Sequence, residues 1–366
     1  MGGDKIMNLE TEILGIKLKS PFIIGSGPLN YNAEGMIRSY QNGAGAVVTK
    51  TIRDNAAENP YPHIAYSNKD TLVNAEKWAD LPGEQWVEKE IPKAKEKGVI
   101  VIGSIGHTPR EVKNWTAKVD QAGADMIELV SYSKDTMIDM VKQAKKLTDK
   151  PVLVKVSPNW NSPVKTALKA LETGGDGITA IDSVGPVLRI DIEKEKPLLG
   201  SERGYGWLSG SAIKPIALRY VADIASKTEK PVVGIGGVTT AKDAVEMLMA
   251  GAGAVGICSA PMIRGIQYID KLNNDLDKLL KKLGYNSVKD VSKVALKNLY
   301  EKEIKNKLSF QFEKGKCIKC NRCIEVCSYQ AREFKGDDLK LDTNKCHYCG
   351  LCATVCPTDA LTMVDL

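Results

Sequence analysis

Residues 232–260 read VVGIGGVTTAKDAVEMLMAGAGAVGICSA. Two short apolar runs, Val232–Gly236 and Ala254–Cys258, flank a segment with helical spacing, Ala241–Ala250. The joint Ala250-Gly251-Ala252-Gly253 separates that helix from the second run. Glycine there ends the helix, and the next strand enters at once. Strand, helix and strand in this succession predict a βαβ unit.

Similar joints recur at Asn42-Gly43-Ala44-Gly45, Ala122-Gly123-Ala124-Asp125 and Gly174-Gly175-Asp176-Gly177. Working outward, eight strands are expected: Phe22–Ser26, Ala46–Lys50, Val99–Ser104, Met126–Val130, Val152–Ser157, Gly177–Ser183, Val232–Gly236 and Ala254–Cys258. Helical patterns follow most of them, the last being Pro261–Leu280. The repeat predicts an α/β protein with a (β/α)8 TIM barrel over residues 1–265; an open doubly wound sheet is the competing architecture. Residues 266–309, rich in Lys, Leu and Asn, are expected to form a helical extension, the last barrel helix plus helical linkers, and 310–366 a separate small domain. Two long connections, Thr51–Gly98 and Val184–Gly210, interrupt the barrel, and loops of that length on its C-terminal face usually carry function.

A hydrophobic content of 43% against 26% charged residues fits a soluble globular chain. The net charge of +6 is carried by interleaved Lys and Glu, read as a solvated surface, with an acidic protein partner as second option. No basic-aromatic stripe appears, so nucleic acid is not expected as a partner. The longest nearly uncharged run, Ala250 to Ile263, is too short to span a bilayer, and MGGDKIMNLE lacks a signal peptide's apolar core. The expected location is cytoplasmic, with no membrane attachment.

Of nine cysteines, only Cys258 precedes Cys317; the rest form two runs. These are Cys317-x2-Cys320-x2-Cys323-x3-Cys327 and Cys346-x2-Cys349-x2-Cys352-x3-Cys356-Pro357. The spacing is that of bacterial two-cluster ferredoxins, in which the fourth Cys of each run ligates the other cluster. It assigns Cys317, Cys320, Cys323 and Cys356 to one [4Fe–4S] cluster, and Cys346, Cys349, Cys352 and Cys327 to a second. A pair of zinc sites is the competing reading, but zinc favours separated CxxC pairs. Ser328 stands where a proline is usual and removes no ligand. Cys258 reads as a small buried residue. Clusters carry single electrons, so hydride chemistry in the same protein requires a converter, usually a flavin.

The barrel offers a place for one. TIM barrels often bind phosphate in the loops after strands seven and eight. Here Gly236-Gly237 ends the seventh, a helix opens near Thr240, Cys258-Ser259 ends the eighth, and Ser209-Gly210 adds a third anchor. Glycine lets backbone N–H groups approach an anion, and a helix N-terminus adds positive potential. The GxGG run lacks full GxGxxG spacing, so no NAD-binding domain is expected. Lys50 and Lys155 end strands; Lys155 either faces the barrel mouth near a flavin or pairs with Glu128, and both can hold together.

The runs Gly25-Ser26-Gly27, Val48-Thr49-Lys50-Thr51, Lys155-Val156-Ser157-Pro158-Asn159, Tyr205-Gly206-Trp207-Leu208-Ser209-Gly210 and Ile213-Lys214-Pro215-Ile216-Ala217-Leu218-Arg219 resemble the dihydroorotate dehydrogenase superfamily. With the cysteine module, the likeness is greatest to its dihydropyrimidine dehydrogenase catalytic subunits. The resemblance implies FMN at the barrel mouth, with contacts at Ser26, Gly27, Lys50, Thr51, Lys155, Ser183, Ser209, Gly210, Gly236, Gly237, Cys258 and Ser259. It implies an FMN- and iron–sulfur-dependent oxidoreductase acting on a CH–CH or C=C bond. Electrons would pass to ferredoxin or to an NAD(P)H-oxidising flavoprotein subunit, and family members are homodimers or heteromers.

The substrate side departs from the family pattern. Alignment on Glu128-Leu129 puts Val130 at an asparagine position, Ser133 at the catalytic acid/base, Lys134 at a proline and Asp135 at a second asparagine. Asp182, followed by Ser183, stands where a third asparagine is usual. Asparagine both donates and accepts; valine does neither, and ionised aspartate only accepts. The candidate proton donors are Ser133, His107 and Tyr132, and Asp182 is a candidate to bind a cationic or hydroxylated substrate. Two alternatives follow: a reductase of a non-pyrimidine activated alkene, or an electron-transfer subunit without substrate chemistry of its own.

Overall fold

A computed structural model describes residues 9–304 and 309–364. Residues 1–8, which carry most of the N-terminal stretch read above, lie outside the described residues, as does part of the expected linker at 305–308. The chain divides into two compact units, one ending at Asn298 and the other beginning at Leu299.

The first unit is a closed parallel barrel. Its strands are β1 (Phe22–Ile24), β2 (Ala46–Val48), β3 (Val101–Gly106), β4 (Met126–Val130), β5 (Val152–Val156), β6 (Gly177–Ala180), β7 (Val232–Ile235) and β8 (Ala254–Ile257). They pair in chain order, and β8 closes on β1 with Gly256 opposite Ile23. Closure removes the open-sheet alternative. Each strand is buried on both faces, which is why it reads as a continuous apolar run. Ile23, Val48, Ile102, Met126, Leu153 and Val233 fill the interior, where Ile13 and Leu18 of a short N-terminal hairpin (Thr11–Ile13 with Ile16–Leu18) pack against them. Phe22, Val47, Val101, Ile127 and Val154 alternate outward against the helices. At the joint that opened the reading, Gly251 has φ 108°, a left-handed geometry that an L side chain would strain.

One expectation is corrected. The pattern Pro261–Leu280 is two helices, Ser259–Arg264 and Tyr268–Lys282, broken at Gly265, where φ is 89°. The second helix buries Ile269, Leu272, Leu276 and Leu280 in the barrel's main core. It is the last outer helix of the barrel, and the first compact unit runs on to Asn298.

The two long connections join each other. Ile64–Asn68 and Thr71–Asn74 from the first, with Val184–Leu188 and Tyr205–Gly210 from the second, form one four-stranded antiparallel sheet. Its central register sets Trp207 opposite Asn74 and Ser209 opposite Leu72. Among the described residues, no helix is long and apolar enough to cross a membrane.

The second unit has two small antiparallel ribbons, Ser309–Phe312 with Leu361–Val364 and Arg332–Lys335 with Asp338–Leu341. Each cysteine run leads into a single-turn helix, Arg322–Glu325 or Leu351–Thr354. Positive φ recurs at matching places: Lys319 (53°) and Tyr348 (54°), Asn321 (60°) and Gly350 (80°), Gln330 (51°) and Asp359 (52°). The two halves are copies of one local design.

Candidate functional site

The C-terminal ends of the barrel strands and the four-stranded sheet enclose one cavity, with roughly 1320 Å³ of empty space including its open mouth. All twelve residues expected to contact a cofactor line it, from Ser26 and Gly27 after β1 to Cys258 and Ser259 after β8. His107, Tyr132 and Asp182 line it too.

Ser133 does not. Its side chain is exposed, and the residue sits at the N-terminal boundary of the helix Lys134–Ala144. Its N–H donates to Ser131 Oγ at 3.1 Å, and its carbonyl accepts from Thr136 Oγ1 at 3.0 Å. Strand alternation carries past the end of β4, so Val130 and Tyr132 border the cavity while Ser131 and Ser133 do not. The early helix start keeps Ser133 outside, and Tyr132 lines the cavity.

One end of the cavity is lined by backbone-rich turns. Gly237 (φ 76°) would bring a Cβ to 2.6 Å from Lys214 N and 2.8 Å from Gly210 O, so no side chain fits. Ser259 Oγ donates to Ser209 Oγ at 3.1 Å, tying the turn after β8 to the sheet. The helix Ala241–Met249 contributes less than its position suggests. Asp243 already accepts from the N–H groups of Thr239 (3.0 Å) and Thr240 (2.8 Å), so the protein's own carboxylate occupies that N-terminus. The anion-binding groups left are those of the glycine turns and of Ser209 and Ser259. They fit a phosphate, and the long cavity beyond fits a flavin.

The lysines carry the electrostatics. Lys50, 2% exposed, donates to Glu76 Oε1 at 2.5 Å and Asp80 Oδ2 at 2.9 Å. Glu76 Oε2 is buried and faces His63 Nε2 at 3.0 Å. Lys155 Nζ lies 3.3 Å from Asp182 Oδ1. Burial opposes its charge, but Asp182 and then Glu128 outweigh it and hold the ammonium above the usual lysine range. Glu128 sits below in the barrel interior, where burial raises its carboxyl and Lys155 pulls it back. Glu128 and Thr179 line the same small void as Lys155.

Aromatic rings border the other end. His107 meets Tyr132 edge-on, with centroids 4.3 Å apart, and lies 6.1 Å from Trp78; Tyr132 stacks on Trp207 at 6.4 Å. Burial, then the Arg53 charge, push the His107 imidazole down to about 4, so it is neutral at pH 7. Tyr132 is 59% exposed over its whole surface, yet desolvation at its hydroxyl and the Asp182 charge raise its pKa. Burial pushes the Cys258 thiol up to about 11, which keeps it protonated.

Sequence reasoning missed Asn74, Glu76, Trp78 and Trp207, all of which line the cavity. They lie in the long connections, where nothing local indicates which residues turn inward. Asn159 also reaches it, but its amide bridges Ser183 O (3.1 Å) and Gly185 N (3.0 Å) and so ties loops together.

In the second unit, Cys317, Cys320, Cys323 and Cys356 line one void, and Cys327, Cys346, Cys349 and Cys352 line another. Each fourth cysteine lies at the void lined by the first three cysteines of the other run. Backbone N–H groups of Lys319, Ala331 and Tyr348 donate to the sulfurs of Cys317, Cys327 and Cys346 at 3.3–3.4 Å. Such donors stabilise thiolate charge on a cluster.

Residues 8–280 match the family described as dihydroorotate dehydrogenase, and residues 316–360 match a 4Fe-4S dicluster domain. The chain is 36% identical over 308 residues to dihydroorotate dehydrogenase B (NAD(+)), catalytic subunit, of Pyrococcus abyssi (strain GE5 / Orsay), covering 79% of this chain and 99% of that one. Its namesake in Methanothermobacter thermautotrophicus (strain ATCC 29096 / DSM 1053 / JCM 10044 / NBRC 100330 / Delta H) is 32% identical, with 77% of this chain and 97% of that one covered. The NAD-dependent dihydropyrimidine dehydrogenase subunit PreA of Escherichia coli (strain K12) is 27% identical, over 98% of this chain and 96% of that one. The barrel, its mouth and the appended cysteine unit lead to one conclusion: this chain belongs to the dihydroorotate dehydrogenase family and carries a C-terminal 4Fe-4S dicluster domain.

Proposed function

We propose that the protein is an FMN- and iron–sulfur-dependent oxidoreductase that interconverts a CH–CH and a C=C bond and exchanges electrons with a second redox protein. The observation that carries this reading is the single cavity at the barrel mouth, lined by all twelve expected cofactor contacts in a chain that also holds eight clustered cysteines. Bound FMN supplies hydride exchange with the carbon–carbon bond and single-electron exchange with the clusters. Ser209, Gly236, Gly237 and Ser259 hold its phosphate. Lys50 and Lys155 stand beside its ring, with Lys155 kept charged by Asp182.

Tyr132 supplies the proton that accompanies hydride addition. Its raised pKa keeps it protonated at neutral pH, and it lines the cavity where Ser133 does not. The neutral His107 packs edge-on against its ring and fixes its orientation. The first cysteine set, Cys317, Cys320, Cys323 and Cys356, holds one [4Fe–4S] cluster; Cys327, Cys346, Cys349 and Cys352 hold the second. Electrons pass singly between them and ferredoxin or an NAD(P)H-oxidising flavoprotein subunit, in a homodimeric or heteromeric assembly. A reducing, cytoplasmic compartment suits these thiolates.

The test is anaerobic. The protein is reduced with limiting dithionite, and flavin absorbance is followed while uracil, thymine, orotate and simple enoates are added in turn. Stoichiometric reoxidation by any of them supports the reading. No reoxidation by any, with flavin and clusters intact, favours an electron-transfer subunit instead.

A further inference from the structure

We propose that Arg332 is an internal counter-charge in the iron–sulfur unit, raising the reduction potential of the cluster held by Cys327, Cys346, Cys349 and Cys352. This rests on the reading above in one respect: those four cysteines are taken to hold a cluster.

The starting point is a buried cation without an anion. Arg332 opens the second ribbon, opposite Leu341, and is only 5% exposed. Its Nε and Nη2 are buried and have no hydrogen-bond partner among the described residues. Acids near it in the chain are engaged at the surface, Glu333 with Lys335 at 3.1 Å and Asp342 with Lys345 at 3.8 Å. The guanidinium lies over the Phe310 ring, 4.4 Å from its centroid. Such a contact offsets only part of the cost of taking an ion out of water. The ring alone does not account for the charge, so an anion is called for.

The cysteines supply it. Arg332 and Phe310 line the same void as Cys327, Cys346, Cys349 and Cys352, and neither lines the void of the other set. Four thiolates around a cluster leave a net negative charge, which grows by one on reduction. Net charge, burial and hydrogen bonds to the sulfurs set a cluster's potential. Arginine does not deprotonate in proteins and presents its N–H donors in a fixed fork. A fixed positive charge therefore favours the reduced state over the oxidised one and raises the potential. The backbone N–H groups of Ala331 and Tyr348, donating to Cys327 and Cys346, act in the same direction. At Cys323 of the first set, burial pushes the thiol up and the Arg332 charge opposes it. The first cluster should thus move the same way as the second, and by less, because Arg332 does not line its void.

Midpoint potentials of the holoprotein are read by electron paramagnetic resonance during an anaerobic titration with dithionite and redox mediators. Arg332→Met keeps the stem and removes the charge. It should lower the reduction equilibrium constant of the second cluster at least about tenfold, a fall of about 59 mV for one electron. Arg332→Lys keeps the charge and should retain most of the wild-type potential. Arg332→Gln is a second neutral variant, in case methionine hinders assembly. Loss of iron from both neutral variants, with iron kept in the lysine variant, would equally support a counter-charge. Unmoved midpoints in a neutral variant that keeps its iron would overturn the proposal and leave Arg332 as packing against Phe310. An equal fall, or an equal loss of iron, in the lysine variant would overturn it too, since charge would not be the cause. A wild-type chain that binds no iron would sink the reading of the cysteine unit itself, whereas unmoved midpoints leave that reading standing.

Discussion

Lys155 Nζ, near the end of β5, lies 3.3 Å from Asp182 Oδ1, just past the end of β6. The pair joins two neighbouring strands at the cavity floor and keeps a largely buried ammonium charged. Asp182→Asn leaves the shape and removes the charge, while Glu128 remains as a weaker counter-ion. A loss of about 2 kcal/mol in stability is expected, less than for a wholly isolated buried ion. Urea midpoints of the two proteins measure it, and an unchanged midpoint would contradict the pairing.

Tyr132 and Ser133 are separated by a pair of single substitutions. Tyr132→Phe should slow flavin reoxidation by an active substrate on the order of 100-fold, the usual contribution of one positioned acid. Ser133→Ala should leave the rate within about twofold, since surface serines seldom matter to a distant step. Stopped-flow absorbance reads both. The reverse pattern would return the proton to Ser133.

His107 makes barrel stability depend on pH. Its folded pKa of about 4 lies below the ordinary 6.5, so the unfolded chain takes up the proton first as pH falls. The associated stability is fully present above pH 6.5 and is lost between there and pH 4, by up to about 3 kcal/mol. His107→Phe keeps an aromatic ring beside Tyr132 and should remove this share of the pH dependence. Parallel denaturation curves for the two proteins across that range would refute the burial argument.

Gly237→Ala tests the phosphate end. At φ 76°, with Lys214 N 2.6 Å from the new Cβ, the turn must shift. Left-handed backbone alone costs an alanine about 1 kcal/mol. The variant is expected to purify with much less FMN while its cysteine unit keeps its iron. Full flavin content would show that the turn does not hold the phosphate.

Crossed ligation has its own signature. Cys356→Ala should deplete the cluster formed mainly by the first run, and Cys327→Ala the one formed mainly by the second. Electron paramagnetic resonance of the reduced proteins distinguishes the two losses. If each variant instead lost the cluster of its own run, the crossed assignment would fall.

Much of the architecture was legible because it rests on short-range physics. A strand buried on both faces must be apolar throughout, and a helix returning to a strand needs a left-handed joint, so Gly251 and its counterparts mark the barrel's period. Thiolate spacing follows the dimensions of a cluster, so Cys317 to Cys356 announce their grouping without a fold. Tertiary structure alone decided the substrate end. Trp207 faces Asn74 because two connections pair edge to edge across 133 residues, and Lys50 meets Glu76 across 26. Such pairings depend on where the barrel presents each loop, information that no local pattern carries. Ser133 shows the same limit at closer range. Its neighbours aligned it with a catalytic residue, but the helix beginning at Lys134 and the alternation past β4 left it outside the cavity and brought Tyr132 in.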